Sequence, residues 1–300
     1  MSILEYFPTN IKLILQNELQ DYITNLSEIR IRVNLPIILK IGQGEKIINY
    51  KTTNEEIDII LQNICNNSIY AYQTQISEGF ITIPGGHRVG ISGNVTVKEG
   101  NVTNINCVYS LNFRIAKQIN GCSNEILENI IQNKSIITQN TLIVSCPGAG
   151  KTTVLRDLAR NISNGIPEMN VNGIDVSIID ERCEIAAMYK GMPQNDVGIR
   201  TDVINNVPKP IGIKMAVRSL APKVIIADEI GNKKDAEAIN YAVCSGVTGI
   251  FSAHGNCMED LKKNPEINEL LKLNIFKNIV FLDENHKGKI REIWKESKAQ

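Results

Sequence analysis

The 300 residues are long for one hydrophobic core and enough for two modest ones. The 32 basic and 32 acidic side chains cancel, so no overall field steers the chain toward nucleic acid or an anionic membrane. The 43% apolar and 21% charged content is that of a soluble globular protein, with no run near the roughly 18 apolar residues of a spanning helix.

Residues 1–8 lack the basic lead and apolar block of a signal peptide. The seven cysteines (Cys65, Cys107, Cys122, Cys146, Cys183, Cys244, Cys257) are odd in number and without paired spacing. That pattern reads as reduced thiols in a cytosolic protein, not a disulfide frame or zinc site.

Ile11, Ile14, Leu15, Leu19, Tyr22, Ile23 and Leu26 recur at helical spacing and predict a helix over 11–26. Residues 27–33 then alternate, with Ile29, Ile31 and Val33 on one face and Arg30 and Arg32 on the other, the period of a half-buried strand. Strands follow at 36–41 and 45–50 across Gly42-Gln43-Gly44. Thr53 with Glu56 forms a capping-box pattern ahead of a helix reaching Cys65, and a second helix is expected over 69–76. Strands at 80–83, 87–97 and 102–115 are separated by the turn signals Pro84-Gly85-Gly86 and Glu99-Gly100-Asn101. Together these describe a small α+β domain over 1–116.

From 117 to 300 the rhythm changes. Helices at 123–132, 152–164, 213–220, 233–245 and 265–276 alternate with strands at 141–145, 175–179, 223–227 and 247–253. A final strand pair, 278–282 and 289–294, is joined by Asn285-His286-Lys287-Gly288. Such alternation implies an α/β domain with a mostly parallel sheet covered on both faces.

Four strand ends carry chemistry. After the strand at 141–145 stands Ser145-Cys146-Pro147-Gly148-Ala149-Gly150-Lys151-Thr152-Thr153. It fits the phosphate-loop pattern Gly-x-x-x-x-Gly-Lys-Ser/Thr except that Ser145 stands where the first Gly is usual. Gly148 and Gly150 let backbone N–H groups turn onto phosphate oxygens, and the following helix adds its positive end. Lys151 reaches the β/γ-phosphates and Thr152 holds Mg²⁺ in this reading. A Gly-rich turn before an ordinary helix has the same composition, but the apolar strand before the loop favours nucleotide.

The strand at 223–227 ends in Asp228-Glu229. Asp228 is the expected Mg²⁺ partner and Glu229 the residue that polarises the attacking water. The strand at 175–179 ends in Asp180-Glu181-Arg182-Cys183-Glu184, whose acids Asp180, Glu181 and Glu184 rival Glu229 as base or support it. The strand at 247–253 ends at His254, placed to sense the γ-phosphate, to couple hydrolysis to movement, or to be merely structural. Asp228-x-x-Gly231 followed by Asn232-Lys233-x-Asp235 imitates two guanine-nucleotide motifs. In GTPases those motifs sit on separate strands; here they abut, so ATP is preferred over GTP.

The chain resembles the stage III sporulation protein AA family over nearly its whole length. The resemblance lies in Glu28 to Val33, residues 79–93 (GFITIPGGHRVGISG), the phosphate loop, 180–186 (DERCEIA), 191–201 (GMPQNDVGIRT) and 218–231 (RSLAPKVIIADEIG). It implies a RecA-like P-loop NTPase domain, related to the type II and type IV secretion motor ATPases, behind the smaller α+β domain. It further implies a homo-oligomeric ring, normally a hexamer, on the cytoplasmic face of a membrane complex, energising the channel between mother cell and forespore.

The resemblance also matches Asp180 to Glu184 with the acidic box of those motors and His254 with their histidine box. Asp228-Glu229 stands where they usually carry Gly-Glu. In a ring, a neighbour's arginine can complete the site, for which Arg88, Arg114 and Arg200 are the candidates. Recruitment to the membrane then falls to a partner. Two other functions compete: a nucleotide-gated ring scaffold with negligible turnover, and a RecA-like nucleic-acid translocase. The second needs a basic stripe and exposed aromatics, and the chain is neutral with 5% aromatic residues, so nucleic acid is not the expected partner.

Overall fold

The alternation at Ile29 and Ile31 is realised as strand β1 (Leu26–Arg32), with both isoleucines fully buried and Arg30 exposed. The computed structural model describes residues 3–19, 25–131 and 139–295. Tyr22, Ile23 and Gln132, at the ends of two expected helices, lie outside the described residues. The chain divides into two units, Met1–Lys117 with Tyr189–Gln194, and Gln118–Met188 with Asn195–Gln300.

In the first unit β1 is joined by β2 (Pro36–Ile41), β3 (Gly44–Lys51), β4 (Phe80–Ile83), β5 (His87–Lys98) and β6 (Asn101–Arg114). The sheet order is β3-β2-β1-β6-β5-β4, antiparallel throughout. Alternate residues Ile29, Ile31, Ile37, Leu39, Val89, Leu111 and Phe113 form one core with the apolar stripes of α1 (Thr9–Leu19) and α2 (Asn54–Ile64). Each such burial is worth about 1.5–3 kcal/mol. Phe7 and Phe113 stack within this core with ring centroids 4.8 Å apart.

The capping box forms as expected: Glu56 N donates to Thr53 Oγ1 at 3.2 Å and Thr53 N to Glu56 Oε2 at 2.9 Å. Glu56 does more than cap. Its Oε1 also accepts from Asn10 Nδ2 and Tyr50 OH, both at 2.5 Å, so one carboxylate ties α1, β3 and α2 together. The helix expected over 69–76 is instead a 3-10 turn (Ile69–Tyr72) followed by the short α3 (Gln73–Ser77).

The turn before β5 explains its glycines. Gly85 sits at φ +86, and a Cβ there would stand 2.8 Å from His87 Nε2. The His87 ring therefore lies over a position only glycine can fill, and its Nδ1 accepts from Ala116 N at 3.0 Å. Burial holds His87 below its ordinary value of 6.5.

The second unit comprises α4 (Asn124–Ile130), β7 (Thr141–Ser145), α5 (Lys151–Asn164), β8 (Gly165–Ile166), β9 (Val171–Asn172) and β10 (Val176–Asp180). The ribbon strands β11 (Met188–Tyr189) and β12 (Met192–Pro193) come next in the chain, Tyr189 and β12 belonging to the first unit, and the second unit resumes with β13 (Thr201–Asn205), α6 (Lys209–Ser219), β14 (Val224–Ala227) and α7 (Lys233–Cys244). The unit ends with β15 (Thr248–His254), α8 (Met258–Lys263), α9 (Pro265–Lys272), β16 (Asn278–Leu282) and β17 (Ile290–Lys295).

The main sheet runs β13-β10-β14-β15-β7-β16-β17, parallel except for the terminal β16–β17 pair. Its inner strands bury both faces. Leu142, Val144, Ile225, Ala227, Phe251 and Ala253 enter one cluster with α6, α7 and α9. Ile143, Val176, Ile178, Val224, Ile226 and Ile250 enter the other with α4 and α5. This two-faced burial is why these strands read as unbroken apolar runs instead of alternating ones.

Three boundaries differ from the expected ones. The helix expected over 265–276 starts at Pro265 as read, with Asn264 as its cap, but α9 ends at Lys272, and a separate short helix, α8, precedes Asn264. α6 begins at Lys209, four residues before the apolar pattern starts. Edge strand β13 carries partly exposed residues and no apolar run, so nothing local announces it. Among the described residues no helix is long and apolar enough to cross a membrane.

Two outcomes test the first unit. Phe113→Ala should lower the unfolding free energy by about 3–5 kcal/mol and Thr53→Ala by only about 1 kcal/mol. Urea denaturation followed by far-UV circular dichroism ranks them, and equal losses would contradict this packing. Because the folded His87 resists protonation, the stability it contributes is complete above 6.5 and falls as pH drops through its lower folded value. His87→Gln should flatten that part of the stability–pH curve.

Candidate functional site

Parallel register sets the site. Pairing of Ile179 with Ala227, Ala227 with Phe251 and His254 with Ser145 brings the carboxyl ends of β10, β14, β15 and β7 to one sheet edge. Beyond β7 the chain turns through residues 146–150 into α5, with Gly148 at φ +80 and Gly150 at φ +104. Gly150 has a second constraint, since a Cβ there would lie 3.0 Å from Gly288 N. Gly288 N donates to Ala149 O at 2.9 Å, so the β16–β17 turn backs the loop. Ala149 is buried, whereas Pro147 and Gly148 face solvent.

Lys151, only 6% exposed, folds back into the loop. Its Nζ donates to Ser145 O at 2.8 Å and Cys146 O at 3.1 Å, and lies 3.4 Å from His254 Nδ1. Burial pulls its pKa down, opposed by the Asp228 and Glu229 carboxylates. Thr152 Oγ1 donates to Asp228 Oδ2 at 2.5 Å. Ser252 Oγ donates to the other oxygen of Asp228 and accepts from Glu229 N at 2.8 Å, locking the turn after β14 onto β15. Glu229 takes a left-handed φ of +54. Its carboxylate accepts from Arg182 Nη1 at 2.5 Å and lies 3.2 Å from His254 Nε2.

The acids after β10 separate by environment. Asp180 is buried and accepts from the backbone N–H groups of Glu184, Ile185 and Ala186 at 2.8–3.2 Å. From the other side Arg156 of α5 donates to Ile185 O at 2.7 Å and Glu184 O at 2.6 Å, and Asn195 Nδ2 to Ile185 O at 2.9 Å. The loop 181–186 is thus pinned through its donors by an acid and through its acceptors by a base. Burial raises the Asp180 pKa although these N–H bonds pull it down. With its oxygens engaged in holding the loop, Asp180 is set aside as a base. Glu181 pairs with Lys209 at the start of α6. Glu184 lines the same cleft as Glu181, Arg182, Asp228 and Glu229.

Ser145, Cys146, Lys151, Thr152, Asp228, Glu229 and His254 therefore meet at one edge. Thr153 follows on the first turn of α5, where its carbonyl accepts from Cys122 Sγ at 3.7 Å. Arg200 does not join them: its Nη1 donates to Ser163 O at 2.9 Å, near the far end of α5, about 18 Å along the helix from Lys151. Arg88 and Arg114 face each other across β5 and β6 in the first unit, the Arg88 guanidinium 3.8 Å above the Phe80 ring.

Sequence reasoning missed Arg156, Ser252 and Asn195 and gave Arg182 no role. The one available signal was Arg156, a charge on the buried face of a helix. Two hard oxygens, Thr152 Oγ1 and Asp228 Oδ2, stand together, and no cluster of three or more His, Cys, Asp or Glu able to hold a metal occurs among the described residues. That donor set fits Mg²⁺ carried in with phosphates and water. Asp180→Asn should speed exchange of the Glu184, Ile185 and Ala186 amides by about tenfold or more, read by hydrogen–deuterium exchange; unchanged protection would remove Asp180 as the loop's anchor.

Comparison with known proteins bears on the family and the fold. The family model for sporulation stage III, protein AA matches residues 1–300. The chain is 39% identical over 269 residues to stage III sporulation protein AA of Bacillus subtilis (strain 168), covering 89% of this chain and 86% of the relative. Among solved structures, the Legionella pneumophila ATPase DotB superposes with a TM-score of 0.60 at 15% identity, over 90% of this chain and 75% of that one. The pilus retraction motor PilT, solved with bound ADP, gives 0.60 at 15% identity over 95% and 84%. At that identity the likeness is one of fold: α/β, RecA-like, shared with that ATPase and that pilus motor. The chain belongs to the stage III sporulation protein AA family.

Proposed function

We propose that this chain binds ATP with Mg²⁺ and hydrolyses it as the motor of a sporulation membrane channel. The carrying observation is the 2.5 Å contact between Thr152 Oγ1 and Asp228 Oδ2, beside a glycine loop that holds the Lys151 ammonium. Nothing in a merely structural turn calls for a hydroxyl and a carboxylate at the mouth of such a loop.

In this reading the 146–150 backbone and the α5 N-terminus take the phosphates, and Lys151 exchanges its carbonyl partners for β/γ-phosphate oxygens. Thr152 and Asp228 hold Mg²⁺, which neutralises charge building on the phosphates. Glu229 orients the attacking water and takes its proton as the new P–O bond forms, while the bond from the γ-phosphorus to the ADP oxygen breaks. Glu184 remains a supporting acid, and His254, between Lys151 and Glu229, couples the loop to the base. Copies assemble as a ring, normally of six, in which Arg88 or Arg114 of a neighbour completes the site. The ring sits in the mother-cell cytoplasm, drawn to the membrane by a channel component. Membership in a sporulation family and the secretion-motor fold support this assignment.

The test is ATPase rate against protein concentration, with and without single-stranded DNA. Wild-type turnover should rise with concentration and ignore DNA. Lys151→Ala should lose nucleotide binding, and Glu229→Gln should keep it while losing about 10²–10⁴-fold in kcat. Stimulation by DNA would point to a translocase, and tight binding without turnover to a scaffold.

A further inference from the structure

Glu229, the base in the reading above, is not free in this conformation. One oxygen accepts from Arg182 at 2.5 Å and the other faces His254 Nε2 at 3.2 Å, while His254 Nδ1 lies 3.4 Å from Lys151 Nζ. A carboxylate engaged on both oxygens is poorly placed to receive a proton from water. Its backbone is fixed as well, because Glu229 N donates to Ser252 Oγ at 2.8 Å. Release must therefore come from the partner. Arg182 suits that role: its side chain is 65% exposed against 30% for Glu229. The loop beneath it is anchored by Asp180 and Arg156, so the guanidinium swings from a fixed root. Among the described residues, Glu229 is the acid Arg182 pairs with.

We propose that Arg182 is a latch, in the same chain, that reads the γ-phosphate: it holds Glu229 while that position is vacant and moves onto the γ-phosphate oxygens when a triphosphate binds, releasing Glu229. A guanidinium presents five N–H donors in a rigid fork that matches phosphate, and a γ-phosphate carries more charge than a carboxylate. ADP lacks the group that would draw Arg182 away, so the base is released only when there is a bond to cleave. The inference rests on the ATP reading and deepens it by assigning the residue that distinguishes triphosphate from diphosphate.

Calorimetric titration of the full chain with Mg²⁺ and either ADP or the β,γ-imido analogue of ATP tests it, using wild type, Arg182→Ala, Arg182→Lys, Glu229→Gln and the Arg182→Ala/Glu229→Gln double variant. Arg182→Ala should weaken the analogue by about tenfold and leave ADP unchanged, with Arg182→Lys recovering part of the loss. Glu229→Gln should tighten the analogue, since phosphate no longer competes with a carboxylate for Arg182, and that gain should vanish in the double variant. A gain that persists in the double variant reflects simple charge repulsion and overturns the latch, as does equal weakening of ADP and analogue in Arg182→Ala. If wild type binds neither nucleotide, the ATP reading itself falls, and the latch with it.

Discussion

A parallel sheet buried on both faces has one edge at which chemistry can be placed, and the second unit is organised by that constraint. Strands β7, β10, β14 and β15 are buried along nearly their whole length, and the polar residues that form the site sit at or near their carboxyl ends. Register then decides which polar residues meet. Pairing of β15 with β7 sets His254 beside Ser145, and pairing of β10, β14 and β15 sets Asp180, Asp228 and Ser252 in neighbouring positions. A slip of one residue in a parallel pair would send every side chain to the opposite face of the sheet and into the wrong one of the two cores, so the packing that holds the sheet together also holds the site in register.

The buried charges around the site share one device. Lys151, Arg156 and Asp180 are all nearly inaccessible, and each satisfies its charge largely on backbone groups. A buried charge left unpaired costs several kcal/mol; backbone dipoles offset that cost without neutralising the side chain. Lys151 rests on carbonyls that phosphate oxygens would replace in the proposed reading, whereas Asp180 and Arg156, with Asn195, hold the N–H and C=O groups of a loop. The first makes a site that can change partners, the second a site that stays put, and Arg182 stands on the fixed loop facing the changeable site.

The first unit follows a different logic. Its antiparallel sheet buries one face, so polar and apolar residues alternate and Arg30 remains at the surface. Its specificity rests on a few local knots. Glu56 joins two helices and a strand through one carboxylate. The His87 ring occupies the space a side chain at Gly85 would need, so the Pro84-Gly85-Gly86-His87 run is as much a packing requirement as a turn.

The sequence by itself determined the elements whose signal is local. The capping box at Thr53, the apolar strands that end in acids, and the glycine loop before Lys151 all follow from spacing and composition. The α/β rhythm of the second unit is legible for the same reason, because two-faced burial leaves an unmistakable apolar run. The short helix α8 before Asn264, the edge strand β13 and the start of α6 were missed. Their residues are governed by a cap at Asn264, by pairing with β10 and by a Pro-initiated turn, none of which periodicity records. Only the tertiary structure decided what each acid does. Asp180, Glu181, Glu184 and Glu229 are equivalent as letters after a strand. They diverge because Asp180 meets three amides, Glu181 meets Lys209, and Glu229 meets Arg182 and His254. A carboxylate's chemistry is set by the donors around it, and here those donors come from α5, α6, β15 and a neighbouring loop, brought together by sheet register and helix packing rather than by proximity in the chain.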